Sequence, residues 1–253
     1  MAPFNAVFDD LDFHNDPTKR LIGPVAQLVL REARSDQAKV PVYRRVVMNW
    51  SPLARDLLAG RSRKTDLSNT PKTVIVLPDW TSEVGMRWLV EWMTEKCKAG
   101  DRDDRLVTKQ QRGDAPKKDG IRELDGDDFV LVLHVHQATR VLRIPPAINF
   151  LESWILHYVD KNTLSPSQLL QFWKIFGVPG TAIDHGKLVN LVIGRMARCM
   201  IRGEPEWWWD AIESLMLPGK HPELRKKVYE QLEAIQAGAS DWIWEKLCPP
   251  ENI

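Results

Sequence analysis

"TVIVLPDWTSEVGMRWLVEWM", Thr73 to Met93, changes its period in the middle. Up to Leu77 the residues are β-branched or otherwise apolar and unbroken by any polar side chain, and Pro78 closes the run. That composition predicts a strand. Because Val74, Ile75, Val76 and Leu77 do not alternate with polar residues, both faces of the strand are expected to be covered. From about Ser82 the apolar residues recur at helical spacing. Met86, Leu89, Val90 and Met93 form one stripe, with Trp88 and Trp92 beside it four residues apart, and Gly100 is the stop.

Working back from this strand, "RSRKTDLSNTPK" at 61–72 is a polar loop. Before it, "RRVVMNWSPLARDLLAG" at 44–60 places Val46, Val47, Trp50, Leu53, Leu57 and Leu58 near helical spacing. Ser51-Pro52 supplies an N-cap and a first-turn proline, and Gly60 a stop, so two short helices are predicted to meet at Asn49 to Ser51. "VAQLVL" at Val25 to Leu30 and "KVPVY" at Lys39 to Tyr43 are short apolar runs on either side of a charged segment, which reads as a strand pair. Residues 1–22 have acidic and polar intervals between Phe4, Phe8, Leu11 and Phe13, and are expected to form a flexible arm.

Forward of Gly100 the character changes. Lys98 to Asp128 holds 17 charged residues in 31, too polar to bury a face, so a disordered insertion is expected at about 98–128. Thereafter the pattern is helical: one helix starting near Asp128, one opening on Pro145-Pro146, one capped by Ser165-Pro166 and ending at Gly177. Others are predicted at about 184–201, 205–215 and 222–236. The fold class that follows is α+β: a small β-sheet flanked by helices over residues 23–162, then an all-α extension over 163–253.

Three consecutive tryptophans, Trp207 to Trp209, fan over about 200° of a helix and cannot form one flat face. Trp208 shares a stripe with Ile212 and Leu215 and belongs to the core, whereas Trp209 is followed on its own face by Glu213 and is half exposed. A base-stacking platform calls for basic flanks, but here the flanks are Glu204, Glu206 and Asp210. Packing or a protein interface is the simpler account.

Chemistry is scarce. His134 and His136 stand two apart, a spacing a strand could turn toward one metal ion, but in a helix they diverge by about 200°. No third ligand pairs with them, so no metal is expected. The chain has no GxGxxG, no phosphate loop, no GxSxG, no HExxH and no CxxC. Asp184-His185 with Ser165 or Cys199 are residue types that any chain of this size brings together by chance. The expectation is of no enzyme and no cofactor.

The formal charge of +1 gives no overall field toward phosphate backbones or anionic lipid. It is unevenly spread: Arg31 to Lys72 carries ten basic against four acidic side chains. Three widely spaced cysteines fit neither a disulfide framework nor a paired zinc motif, which suggests a reducing compartment. With no signal-peptide pattern at the start and no apolar run near 20 residues, an intracellular protein of cytoplasm or nucleus is expected.

The order of elements, with three particular segments, resembles a BTB (POZ) domain of the divergent kind found in fungal proteins. "YRRVVMNWSPLARDLLAG" is similar to the family's helical segment after the strand pair, at Val46, Val47, Ser51, Pro52, Leu57 and Leu58. "TVIVLPDWTSEVGMRWLVEWM" keeps Leu77, Pro78 and Asp79. "VLHVHQATRVLRIPPAINFLESWILHYV" resembles the closing helices at Ala138, Leu142 and Leu151. The resemblance covers about residues 25 to 160. It departs from the family at Tyr43-Arg44, where histidine is frequent, and in the charged insertion.

The resemblance implies a non-catalytic protein-protein interaction module, an adaptor that self-associates as a homodimer or docks a partner. Interface hot spots favour Trp and Arg, so the expected partner contacts are Trp50, Arg55, Trp80, Trp88 and Trp209. Two alternatives remain. One is a substrate adaptor binding a cullin scaffold in a ubiquitin ligase. The other is a nucleic-acid-associated regulator using Arg44, Arg45, Arg61, Arg63 and Lys64.

Overall fold

The computed structural model describes residues 23–30, 39–58, 74–78, 80–100, 106, 124, 128–162, 164–177, 186–202, 212 and 221–237. They are mostly helical, with one three-stranded mixed sheet. The first strands are β1 (Val25–Leu30) and β2 (Lys39–Tyr43), followed by helices α1 (Arg44–Trp50) and α2 (Pro52–Leu58). Strand β3 (Val74–Leu77) and helix α3 (Glu83–Lys98) come next, then α4 (Phe129–Val141) and α5 (Pro145–Lys161). Helix α6 (Pro166–Phe172) runs into a π-helical turn, Trp173–Gly177, before α7 (Gly186–Arg202) and α8 (Pro222–Gln236). Contacts divide the chain into two compact units, Met1–Leu151 and Glu152–Ile253.

In the first unit the sheet order is β2-β1-β3, with β2 antiparallel and β3 parallel to β1. Its inner face, Ala26, Leu28, Val40, Val42, Ile75 and Leu77, is buried. On the other face Val74 and Val76 are exposed, Val76 by 61 %. The expectation that β3 is covered on both sides is therefore corrected. A run of valines satisfies the preference for a pleated backbone whether or not its second face is packed.

Local sequence explains most boundaries. Ser51 ends α1 and caps α2, its hydroxyl accepting from Ala54 N–H at 2.9 Å. That hydroxyl also donates to the Leu142 carbonyl at 2.6 Å, tying the α1–α2 corner to the end of α4. Ser82 caps α3 through Gly85 N–H, and Asp128 caps α4 through Leu131 N–H. Gln137, buried in α4, holds the turn before α3: its side-chain oxygen accepts from Ser82 N–H (3.0 Å) and its amide donates to the Trp80 carbonyl (2.7 Å).

Helices α3 and α4 approach so closely at Gly85 that a Cβ there would lie 2.0 Å from the His134 carbonyl oxygen. Helix α4 ends in a Schellman turn, with Ile144 N–H bonded to the Thr139 carbonyl and Arg143 to that of Arg140. Arg143 occupies the left-handed position, at φ 54°. Within the charged segment after α3, Leu106 and Leu124 are buried. The segment's charge count hides these two apolar positions.

In the second unit Ser165 and Gln168 form the capping box of α6, each side chain bonding the other's main chain. The π-helical turn after it buries Trp173, Ile175 and Phe176, with the Phe172 and Phe176 rings 5.0 Å apart. Helices α7 and α8 pack together, and the Arg195 guanidinium donates to the Val159 and Asp160 carbonyls. It thereby satisfies acceptors that the last turn of α5 leaves open. Trp207 to Trp209 lie outside the described residues, but Ile212, on the stripe assigned to Trp208, is buried.

Candidate interaction surface

The outer face of the sheet is built by alternation. With side chains pointing to opposite faces at every step, the residues turned away from the helices are Val25, Gln27 and Val29 of β1, Lys39, Pro41 and Tyr43 of β2, and Val74 and Val76 of β3. The registers align them in rows: Tyr43 beside Val25; Pro41, Gln27 and Val74; Lys39, Val29 and Val76. Lys39 is the sole charge in these rows. Of the seven large hydrophobic residues that are exposed among those described, four lie here: Val25, Tyr43, Val74 and Val76.

At its β2 border this face turns into a groove of about 390 Å³. One wall is Val25, Pro41, Val42 and Tyr43, and the other is a face of α3 made by Val90, Glu91, Thr94, Glu95 and Lys98. The phase of the main chain on β2 follows from the bond of Arg44 N–H to the Pro24 carbonyl. Alternate pairs of an antiparallel ladder exchange both bonds, so Val42 and Val40 are bonded to β1. The main-chain polar groups of Lys39, the Pro41 carbonyl and the Tyr43 N–H then point away from it, while the Tyr43 carbonyl, at the N-cap of α1, accepts the first bond of that helix. Proline brings no N–H, and its place on a border strand fits that lack.

The residues singled out in the sequence fall elsewhere. Trp50 is 8 % exposed and packs on Trp92 with ring centroids 5.0 Å apart, so it is a core residue and not a partner contact. Its position four residues after Val46 and three after Val47 carried that signal. Arg55 is exposed, but its guanidinium donates to the Met48 and Asn49 carbonyls at 3.2 and 3.3 Å and closes the end of α1. Trp80 and Trp88 are half-buried, at the turn before α3 and on α3.

Of the basic set, Arg44 donates to the Leu58 carbonyl at the end of α2, and Arg45 lies over Gly23. Arg61, Arg63, Lys64 and Trp209 lie outside the described residues. The structure does not gather the described members of these two sets into one patch.

His134 and His136 are both on α4, where their spacing separates them. His136 is fully buried, and burial lowers the pKa of His134, partly offset by the Asp128 carboxylate. Among the described residues no three of His, Cys, Asp and Glu are grouped so that they could hold a metal ion, and no helix is long and apolar enough to cross a membrane. Comparison with known protein families, with curated proteins and with solved structures gives no match for this chain.

Proposed function

We propose that the chain is a non-catalytic protein-protein interaction module of BTB/POZ type, an adaptor that works by self-association or by docking a partner. The observation that carries this reading is the outer face of the sheet, where four exposed apolar side chains stand together in a surface with one charge. Contiguous apolar patches of this kind are costly to leave in water and mark binding surfaces. The family part of the reading is supported by the order of elements: a strand pair, two short helices, a third strand, a long helix and a helical pair.

The test is Val74→Lys together with Val76→Lys. Both side chains are exposed, so the double variant is expected to melt with the wild type, within about 0.5 kcal/mol per site. It is expected to lose whatever association the face provides. Light scattering over a range of concentrations would show a mass near twice 29.1 kDa falling to a monomer, or affinity capture would show partners lost from the variant. An unchanged mass together with an unchanged set of captured proteins would sink the proposal.

A further inference from the structure

We infer that the segment running into β1, residues 1–22, folds back over the outer face of the sheet and covers it until a partner displaces it. The inference rests on the interaction-module reading and names how that same surface is regulated. Residues 1–22 lie outside the described residues; their sequence and the point where they join the sheet are what select them.

The segment joins the sheet at the face itself. Val25, the first side chain of the outer face, comes two residues after Gly23. The bond from Arg44 N–H to the Pro24 carbonyl fixes the base of the strand. Just before it Gly23 has φ 127°, a value that residues with a side chain rarely adopt, so the chain departs from strand geometry there. A segment tethered this closely meets the face at an effective concentration on the order of millimolar. A separate partner has to outcompete it.

Reach is ample. Phe13 stands 12 positions before Val25, about 40 Å at most at roughly 3.3 Å per residue. The outer face is about 13 Å long from Val25 to Val29 and about 10 Å wide across three strands. Even after a reversal of direction, Phe13 can arrive at any point on it.

Composition matches the two. The face presents Val25, Tyr43, Val74 and Val76, between 38 and 61 % exposed, with Lys39 as the only charge in its rows. "FNAVFDDLDF", residues 4–13, brings apolar Phe4, Phe8, Leu11 and Phe13. Its charges are all acidic, at Asp9, Asp10 and Asp12, and complement the lysine. The four exposed side chains of the face offer on the order of 300 Å² of surface. That is an area for a short segment; a standard stable interface buries about 800 Å² per partner, so a second copy needs further contacts around these four.

The experiment puts p-benzoylphenylalanine in place of Phe8 and, in a second sample, of Phe13 in the full chain, irradiates at nanomolar concentration, and maps the cross-links by mass spectrometry. They are expected within one chain, on the peptides holding Val25 to Val29 or Val74 to Val76, and to be lost in Val74→Glu/Val76→Glu. The second readout is the dye ANS, which reports exposed apolar surface. Phe4→Ser, Phe8→Ser, Leu11→Ser and Phe13→Ser together are expected to raise its fluorescence at least twofold with an unchanged melting curve. Adding Val74→Glu/Val76→Glu should cancel the rise.

Cross-links elsewhere in the chain, cross-links between two copies, no cross-links at all, or ANS fluorescence unchanged by the serines overturns the inference. These results are separable from the broader reading. If Val74→Lys/Val76→Lys abolishes association while no cross-link reaches the sheet, the module stands and the covering segment does not. If cross-links reach the sheet while that variant keeps its mass and its captured proteins, the cover stands and the module reading falls.

Discussion

Replacing Gly85 by alanine puts the contact between α3 and α4 to its hardest test. A methyl group built there would lie 2.0 Å from the His134 carbonyl oxygen, 2.3 Å from its carbon and 3.0 Å from Val135 N. All three are main-chain atoms of a helix, so no side chain can swing aside, and α3 must back away by more than 1 Å. Alanine in a helix interior gains up to about 1 kcal/mol over glycine by propensity, while forcing a methyl into a filled interior costs about 1 to 3 kcal/mol and occasionally more.

With the obstacle in the backbone, the upper end applies, and the net loss is about 2 kcal/mol. For a chain of this size that is a fall in Tm of roughly 4 to 8 °C. Tryptophan fluorescence reads the transition, since Trp50 and Trp92 report the first unit even if the two units melt separately. An unchanged or raised Tm would refute the close approach and the packing built on it.

Arg143→Gly should raise stability by about 1 kcal/mol, because an exposed arginine holds a left-handed position that glycine adopts without strain; a lowered urea midpoint would contradict this. Gln137→Met should cost about 1 to 3 kcal/mol by orphaning the Ser82 N–H and the Trp80 carbonyl while keeping the side-chain volume, read by the same denaturation. His134 has its pKa lowered by burial in the folded chain, so the unfolded chain binds the proton more readily. The stability this provides is complete above the unfolded value near 6.5 and is lost as pH falls through the depressed folded value. Urea midpoints at pH 7.5 and 5.0 should therefore differ less in His134→Gln than in the wild type.

The elements were legible because their ends are written in local chemistry. Ser51, Ser82, Asp128 and Ser165 each cap the helix that follows, and the strand at Val74–Leu77 ends at its proline. What was not legible is what tertiary packing decides. Trp50 and Trp88 look alike in the sequence, yet one lies under Trp92 and the other is half in solvent. Gln137, an amide amid His136, Ala138 and Thr139 in a buried stretch of helix, demands partners, but nothing local names them, since they lie 55 and 57 positions away.

The surface was hidden for a different reason. Trp and Arg dominate interface hot spots, but three of the described arginines close helix ends: Arg44 on α2, Arg55 on α1 and Arg195 on α5. The apolar face is made instead of valines in strands, which a sequence read one strand at a time assigns to the interior. Only the register of three strands, 18 to 49 positions apart at Val25, Tyr43 and Val74, turns them into one exposed surface. One residue did carry the signal. Pro41 in "KVPVY" could not stand in the middle of a sheet without breaking its ladder, so β2 had to be a border, and a border strand with a helix alongside is where a groove forms.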